Sequence, residues 1–298
     1  MPRTVADGIT LLLQWNAPVA AEVAAARSHA RTIEQGLRAE FPSFNRLEIM
    51  GSHTRDTAIH LFSDVDYLAV LGVADVRWGD DWRSSSTILG KVKSALQARF
   101  PGTDVWVNGP AVVVGFKQGT AAVDVVPGVW TGTTGIDGYP VFAIPDGNGG
   151  WLKTSPQRHS KYINESNTAA GGKLVPVIRL LKIWKYSREP SVPVLGFHLE
   201  LLLAAEKVCV GVLSYRECLL ESFRLLRDRG GAALNDPLQI SPRIPATTSA
   251  AKAEALTNNA LYAVDHARRA IEAELSGDIQ ESFRQWGLVF NGNFPAYR

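Results

Sequence analysis

The chain has 298 residues, 46% of them hydrophobic and 20% charged, proportions of a globular protein long enough for one large domain or two packed lobes. Lys and Arg total 31 against 29 Asp and Glu, a formal charge of +2, so there is no broad basic footprint for long nucleic acid and any nucleotide contact must be local. The two cysteines, Cys209 and Cys218, form no C-x-x-C pair, no stretch is long enough to span a membrane, and the apolar run at 9–13 lacks the build of a signal peptide, which predicts a reduced, cytoplasmic protein without membrane contact.

Residues 5–41 carry apolar side chains at helical spacing, Ile9, Leu12, Leu13, Val23, Ile33 and Leu37 among them. Pro18 divides the run into two helices, because its ring removes an amide donor and restricts the residue before it. After Pro42 the pattern turns to strands, one over 47–50 leading into Gly51-Ser52 and one over 64–71, rich in β-branched and apolar residues. Ser84, Ser85 and Ser86 offer caps to a helix over 84–99 with Ile88, Val92 and Leu96 on one face. Strands over 104–116 and 121–129 flank the turn Lys117-Gln118-Gly119-Thr120, which predicts an antiparallel pair. Gly, Pro and Asp become frequent over 128–151, a region of loops and short strands. The rest is helical, over 168–186, 197–210, 214–229 and 250–284, with a Pro-rich piece at 236–245 before the last helix. No internal repeat or low-complexity tract interrupts this order.

The chemistry concentrates in Gly51-Ser52-His53-Thr54-Arg55-Asp56-Thr57 and, after a short run, Ser63-Asp64-Val65-Asp66-Tyr67. Side chains alternate along a strand, so Asp64 and Asp66 share one face while Val65 points into the core. Two carboxylates so close repel each other unless a cation lies between them, and hard oxygen ligands favour Mg²⁺, which binds few protein carboxylates together with substrate phosphates. Asp124, between Val123 and Val125 in an otherwise apolar strand, supplies a third carboxylate if that strand neighbours the first. Three Asp around two Mg²⁺ would let one ion activate an attacking hydroxyl and the other hold a triphosphate, with Asp124 as the base or hydroxyl-orienting ligand. The backbone amides of Gly51 and Ser52, with the Ser52 hydroxyl and the start of a following helix, would face the β- and γ-phosphates.

Gly-Ser, then Asp64-Val65-Asp66, then the distant Val123-Asp124-Val125-Val126-Pro127 resembles the nucleotidyltransferase superfamily of the DNA polymerase β type. Downstream, Arg179-Leu180-Leu181-Lys182-Ile183-Trp184-Lys185, Gly196-Phe197-His198-Leu199-Glu200 and Asp236-Pro237 resemble the helical half of oligoadenylate synthetase, cyclic GMP-AMP synthase and, most closely, the bacterial CD-NTases. The resemblance covers roughly residues 45–245, and the N-terminal helices fit that family's long spine helix. It implies an α+β fold: a nucleotidyltransferase core with a mixed, mostly antiparallel sheet over 1–160 and an α-helical lobe over 161–298, packed around one cleft.

It further implies an enzyme that joins NTPs into a cyclic di- or trinucleotide second messenger, releasing pyrophosphate, in CBASS antiphage signalling. Asp64, Asp66 and Asp124 would hold two Mg²⁺, with Mn²⁺ as an alternative, and Gly51 and Ser52 the donor triphosphate. Lys182 would reach phosphates and Phe197 would stack on the donor base. ATP and GTP are the implied substrates, a downstream effector is reached through the product, and regulatory CBASS proteins are the implied partners. Gly196 stands where several relatives carry a polar residue, and the His/Cys zinc cluster of the animal cyclic GMP-AMP synthase is absent, so control by duplex DNA is not implied. The competing readings are a polymerase β-like enzyme acting on RNA, a small molecule or a protein, and a catalytically silent nucleotide sensor.

Plainer readings stand beside several of these residues. Lys182, amid Leu180, Leu181, Ile183 and Trp184, could be a charge snorkelling off a buried helix, and Phe197 could be core. Arg55 is either a rim contact of the site or a surface salt bridge, Asp56 reads as structural, and His53 and His198 read as structural or rim residues rather than ligands. Lys153, Arg158, Lys161 and Lys173 are either a solvated charged face or an acceptor-binding cluster, and Trp184 and Trp286 read as core.

Overall fold

A computed structural model describes residues 2–60, 62, 64–116, 121–135 and 137–297, without the side chains of Glu22, Val23, Ala25 and Ala26. The backbone divides into two compact units: residues 18–161 with 238–242, and residues 1–17, 162–237 and 243–298. The expected first domain at 1–160 includes both N-terminal helices, but the first of them, α1 (Val5–Trp15), belongs to the second, helical unit. Its buried Val5, Ile9 and Leu12 explain the assignment, since α1 packs on helices of that unit rather than on the sheet. Pro18 therefore separates elements of two units as well as two helices.

In the first unit the strands are β1 (Arg46–Met50), β2 (Val65–Leu71), β3 (Arg77–Trp78), β4 (Asp81–Trp82), β5 (Asp104–Asn108), β6 (Ala111–Gly115), β7 (Val123–Thr134), β8 (Pro140–Pro145) and β9 (Trp151–Thr154). The main sheet runs β1-β2-β7-β6-β5, with β8 and β9 continuing from the far half of β7. Only β2 and β7 pair in parallel within it, so the sheet is mixed and mostly antiparallel, as expected. The strand expected over 104–116 is instead a hairpin, β5 and β6, that turns at Gly109, whose φ of +56° suits glycine. The β6–β7 pair is antiparallel, and the 117–120 turn expected between them lies outside the described residues. The region read as loops and short strands over 128–151 holds the end of β7, which continues past the expected end to Thr134, and β8, which pairs with it.

Helices α2 (Ala20–Glu40) and α4 (Ser85–Arg99) cover one face of this sheet, and the four-residue α3 (Val73–Val76) links β2 to β3. Ile33, Leu37, Ile88, Val92 and Leu96 meet Val65, Tyr67, Ala69 and Leu71 of β2 and Val123 and Val125 of β7 in one core. The alternate β2 residues Leu68 and Val70 face the other way and pack with Phe142. A one-residue slip would exchange these faces, so the buried odd-numbered set holds the register and with it the direction of Asp66.

The helical unit holds α1 and α6 (Leu174–Tyr186), α7 (Gly196–Ala205), α8 (Tyr215–Arg229), α9 (Ala250–Leu275) and α10 (Ile279–Val289), and α5 (Pro156–Ala169) crosses the boundary between the units. The helix expected over 168–186 begins only at Leu174, as α6; Gly171 and Gly172, both in the left-handed region, separate it from α5, which was not expected. Likewise 250–284 divides into α9 and α10 at Gly277, φ +87°, while the helix expected over 197–210 ends at Ala205. Trp184, Phe223, Trp286 and Phe290 are fully buried, so both tryptophans are core as expected. Among the described residues no helix is long and apolar enough to cross a membrane.

Candidate active site

Asp66 and Asp124 occupy the second positions of β2 and β7 and stand directly opposite one another in the parallel register. Their neighbours Val65 and Val123 are buried in the helix-covered core, so alternation turns both carboxylates toward the other face. Asp64 immediately precedes β2 and is exposed, on the same side by the two-residue period. Asp124 Oδ1 is buried and has no hydrogen-bond donor. Burial first, and then the charges of Asp66 and Asp64, push the Asp124 carboxyl up to about 7. The three groups therefore sense one another as a cluster.

β1 delivers the phosphate-loop candidate to the same place. Met50 pairs with Asp66, and the next residue, Gly51, opens a single 3₁₀ turn, Gly51–Thr54. Gly51 has φ +74°, and a β-carbon there would stand 2.6 Å from Asp66 Cγ. The backbone thus lies against the Asp66 carboxylate as only glycine allows. The following helix expected after Gly51-Ser52 is, among the described residues, this single 3₁₀ turn: it ends at Thr54, and Ser52 O accepts from Arg55 N at 3.3 Å and Thr57 N at 3.0 Å. Thr54 Oγ1 and Ser160 Oγ lie 3.1 Å apart, which ties the turn to the start of α5. Arg55 is 6% exposed, which sets aside the surface salt bridge, and Asp56 takes a left-handed φ of +55° suited to a structural turn.

Lys182 and Phe197 lie in the helical unit. Lys182 Nζ donates to Glu200 Oε1 at 2.6 Å, with side chains 8% and 1% exposed. A snorkelling lysine keeps its ammonium in water, so that reading fails. Glu200 escaped the sequence reading although it ends the Gly-Phe-His-Leu-Glu segment, and the available signal was a carboxylate among four leucines. Phe197 is half-buried in the first turn of α7, while Gly196 faces Lys182, its would-be β-carbon 3.9 Å from Lys182 Cε. His198 is buried with Nδ1 3.0 Å from Ile244 O, a structural role. The basic set does not act as one cluster: Arg158 and Lys161 both pair with Asp137, while Lys173 donates to the carbonyls of Gly211 and Leu213.

Among the described residues no three His, Cys, Asp or Glu side chains stand as a ready-made metal cage. The aspartates nonetheless suit a cation that arrives with a phosphate ligand. They offer hard oxygens, Asp124 Oδ1 has no donor, and the mutual repulsion falls when positive charge enters. Mg²⁺ keeps several waters and takes one or two carboxylates plus substrate oxygens, so a closed protein cage is not required.

Residues 4–167 match the family described as the Second Messenger Oligonucleotide or Dinucleotide Synthetase domain. A probable cyclic nucleotide synthase of Bacillus cereus is 23% identical over 230 residues, covering 73% of this chain and 66% of its own. A cyclic AMP-AMP-AMP synthase of an Acinetobacter strain is 31% identical over 170 residues, covering 52% and 44%. The chain thus spans less than two thirds of the length of these curated relatives. In fold it is similar to Escherichia coli CdnC. The structure of CdnC with ATP superposes at a TM-score of 0.71 with 22% identity, over 98% of this chain and 99% of that one. The structure of CdnC in complex with HORMA-deltaN gives 0.71 and 20%, over 98% of each chain.

Proposed function

The chain belongs to the second messenger oligonucleotide or dinucleotide synthetase family, and from that membership we propose that it joins NTPs into a cyclic di- or trinucleotide, releasing pyrophosphate. The observation that carries the chemistry is the pairing of Asp66 with Asp124 across two parallel strands, with the Gly51 backbone laid against the first carboxylate. Asp64, Asp66 and Asp124 would hold two divalent ions, Mg²⁺ or Mn²⁺, which would supply charge neutralisation at the transferred phosphoryl group. Gly51 and Ser52 position the donor triphosphate. Asp124 would orient the acceptor hydroxyl or take up its proton as the new phosphodiester forms and pyrophosphate departs. Lys182 contacts phosphate oxygens, and Phe197 stacks on the donor base.

ATP and GTP are the substrates of this reading, the first of them supported by the ATP complex of CdnC. A regulatory protein partner is supported by the CdnC complex with HORMA-deltaN, and the product would reach its effector by diffusion in a cytoplasmic CBASS antiphage response. The test is product analysis. Protein incubated with ATP, GTP, CTP and UTP and Mg²⁺ should yield a phosphatase-resistant nucleotide whose mass is that of a cyclic di- or trinucleotide, and Asp64→Ala/Asp66→Ala should yield none. Folded protein that binds Mg²⁺–NTP yet extends only RNA, or labels only a protein or small molecule, would refute cyclisation and favour a different nucleotidyltransferase.

A further inference from the structure

β5 ends the main sheet: it pairs with β6 on one side and, among the described residues, with no strand on the other. Gly109 and Pro110 make the turn between β5 and β6, and the pair that flanks so short a turn, Asn108 and Ala111, exchanges both backbone hydrogen bonds. By alternation Asp104, Trp106 and Asn108 turn their backbone groups toward β6, while Val105 and Val107 turn theirs to the open edge. An N–H and a C=O from each of these valines thus form an unfilled ladder.

Open edges are usually blunted by charge, proline or a bulge. The other outer strands follow that rule: β1 carries Arg46 paired with Glu48, and β9 carries an exposed Lys153. β5 instead has Val105-Trp106-Val107 at its centre, and its register with β6 is unbroken. Val105 is buried in the helix-covered core, so Val107 lies on that same face and Trp106 on the other, and both are 43% exposed. The Trp106 ring is already positioned: it lies over Gly115 of β6, where a β-carbon would stand 2.8 Å from Trp106 Cζ3.

We infer that the β5 edge is an interface between two copies of this chain, paired antiparallel about a two-fold axis at Trp106. The strand is complementary to itself in that register. Val105 faces Val107 of the second copy, and these pairs exchange the backbone bonds left open in each monomer. Trp106 faces Trp106 in the close, non-hydrogen-bonded position, an aromatic cross-strand pair. Asp104 faces Asn108, whose side-chain amide donates to the carboxylate, so no like charges meet. A slip of two residues either way would set Trp106 against Asp104 or Asn108 and shorten the paired run. The contact is isologous, so it closes at two copies, and the two main sheets run on as one. Its area falls below the roughly 1,200 Å² of standard interfaces, so the association is transient, with a micromolar dissociation constant.

The test is sedimentation velocity of the full chain from about 1 μM to about 300 μM, a span that covers micromolar affinity. The mass should rise with concentration toward twice that of the monomer. Val107→Lys puts an ammonium group on the edge and should weaken association about ten-fold or more with the melting temperature unchanged. Val107→Pro removes an N–H that β6 does not use and should act alike. Register is read by cross-linking under mild oxidation, with the wild type, whose two cysteines are buried, as the blank. Trp106→Cys should form a covalent dimer, because the facing α-carbons stand about 4.5 Å apart, within disulfide reach. Asn108→Cys, offset from its twin, should not. A monomer at every concentration would overturn the inference, as would undiminished association of Val107→Lys or equal cross-linking of Asn108→Cys. The cross-linking comparison decides if either Val107 variant loses its fold.

Discussion

Asp124 carries a proton at pH values where an ordinary aspartate has lost it. Its carboxyl sits at about 7 in the folded chain, against about 3.9 for an unperturbed side chain. Between those values the folded state binds a proton that the unfolded state has released, so stability falls as pH rises. The contribution is complete below about pH 4 and is lost as pH rises through about 7. Urea unfolding of the metal-free protein from pH 5 to 8 should show this decline, and Asp124→Asn, which cannot ionise, should flatten it. An unchanged slope in that variant would place the repulsion elsewhere. The same proton competes with a cation, so stabilisation by Mg²⁺ with NTP should grow from pH 6 to pH 8, and chelator should remove it. Gly51 is the second decisive residue. Gly51→Ala meets both an unfavourable φ of +74° and the Asp66 carboxylate, so about 1–3 kcal/mol of stability should be lost, with activity falling more steeply than stability. Thermal melts and initial rates on one preparation compare the two losses.

At the scale of elements, β2 and β7 do the positioning. Val65, Tyr67, Ala69 and Leu71 lock one strand, and Val123 and Val125 the other, so the two aspartates share a face without needing loops to place them. The buried Lys182–Glu200 pair joins α6 to α7 in the helical unit. Removing one partner leaves a buried charge uncompensated, so Lys182→Met or Glu200→Leu should each cost about 3–5 kcal/mol in urea unfolding. Replacing both should recover most of that loss, because a buried ion pair often does no better than well-packed apolar groups. Activity separates the roles: the double variant should stay impaired if Lys182 touches phosphate, and recovery of full activity with stability would assign the pair to structure alone.

For the whole molecule, the carboxylate cluster belongs to the unit of 18–161, while Lys182 and Phe197 belong to the helical unit. Asp64→Ala/Asp66→Ala should reduce nucleotide product on the order of 10³-fold or more while circular dichroism and melting temperature stay near wild type, since both side chains stand outside the buried core. Unfolding of that variant would show that the aspartates serve the fold instead. The strands that bear Asp66 and Asp124 and the break at Pro18 were legible in the chain, because residue spacing encodes strand alternation and helix periodicity, while the α+β class came with the family resemblance. Asp64-Val65-Asp66 states in three letters that two carboxylates share a face. Other features depend on partners far away in sequence. The helix breaks at Gly171 and Gly277 follow from backbone that a helical apolar pattern masks, and α1 belongs with the later helices because its buried face finds its complement only there. The burial of Arg55 and the pairing of Lys182 with Glu200 are likewise matters of packing. The sequence by itself determined which groups could do chemistry, while the tertiary structure alone decided which of them meet, because a carboxylate's proton and a lysine's partner are set by neighbours across space.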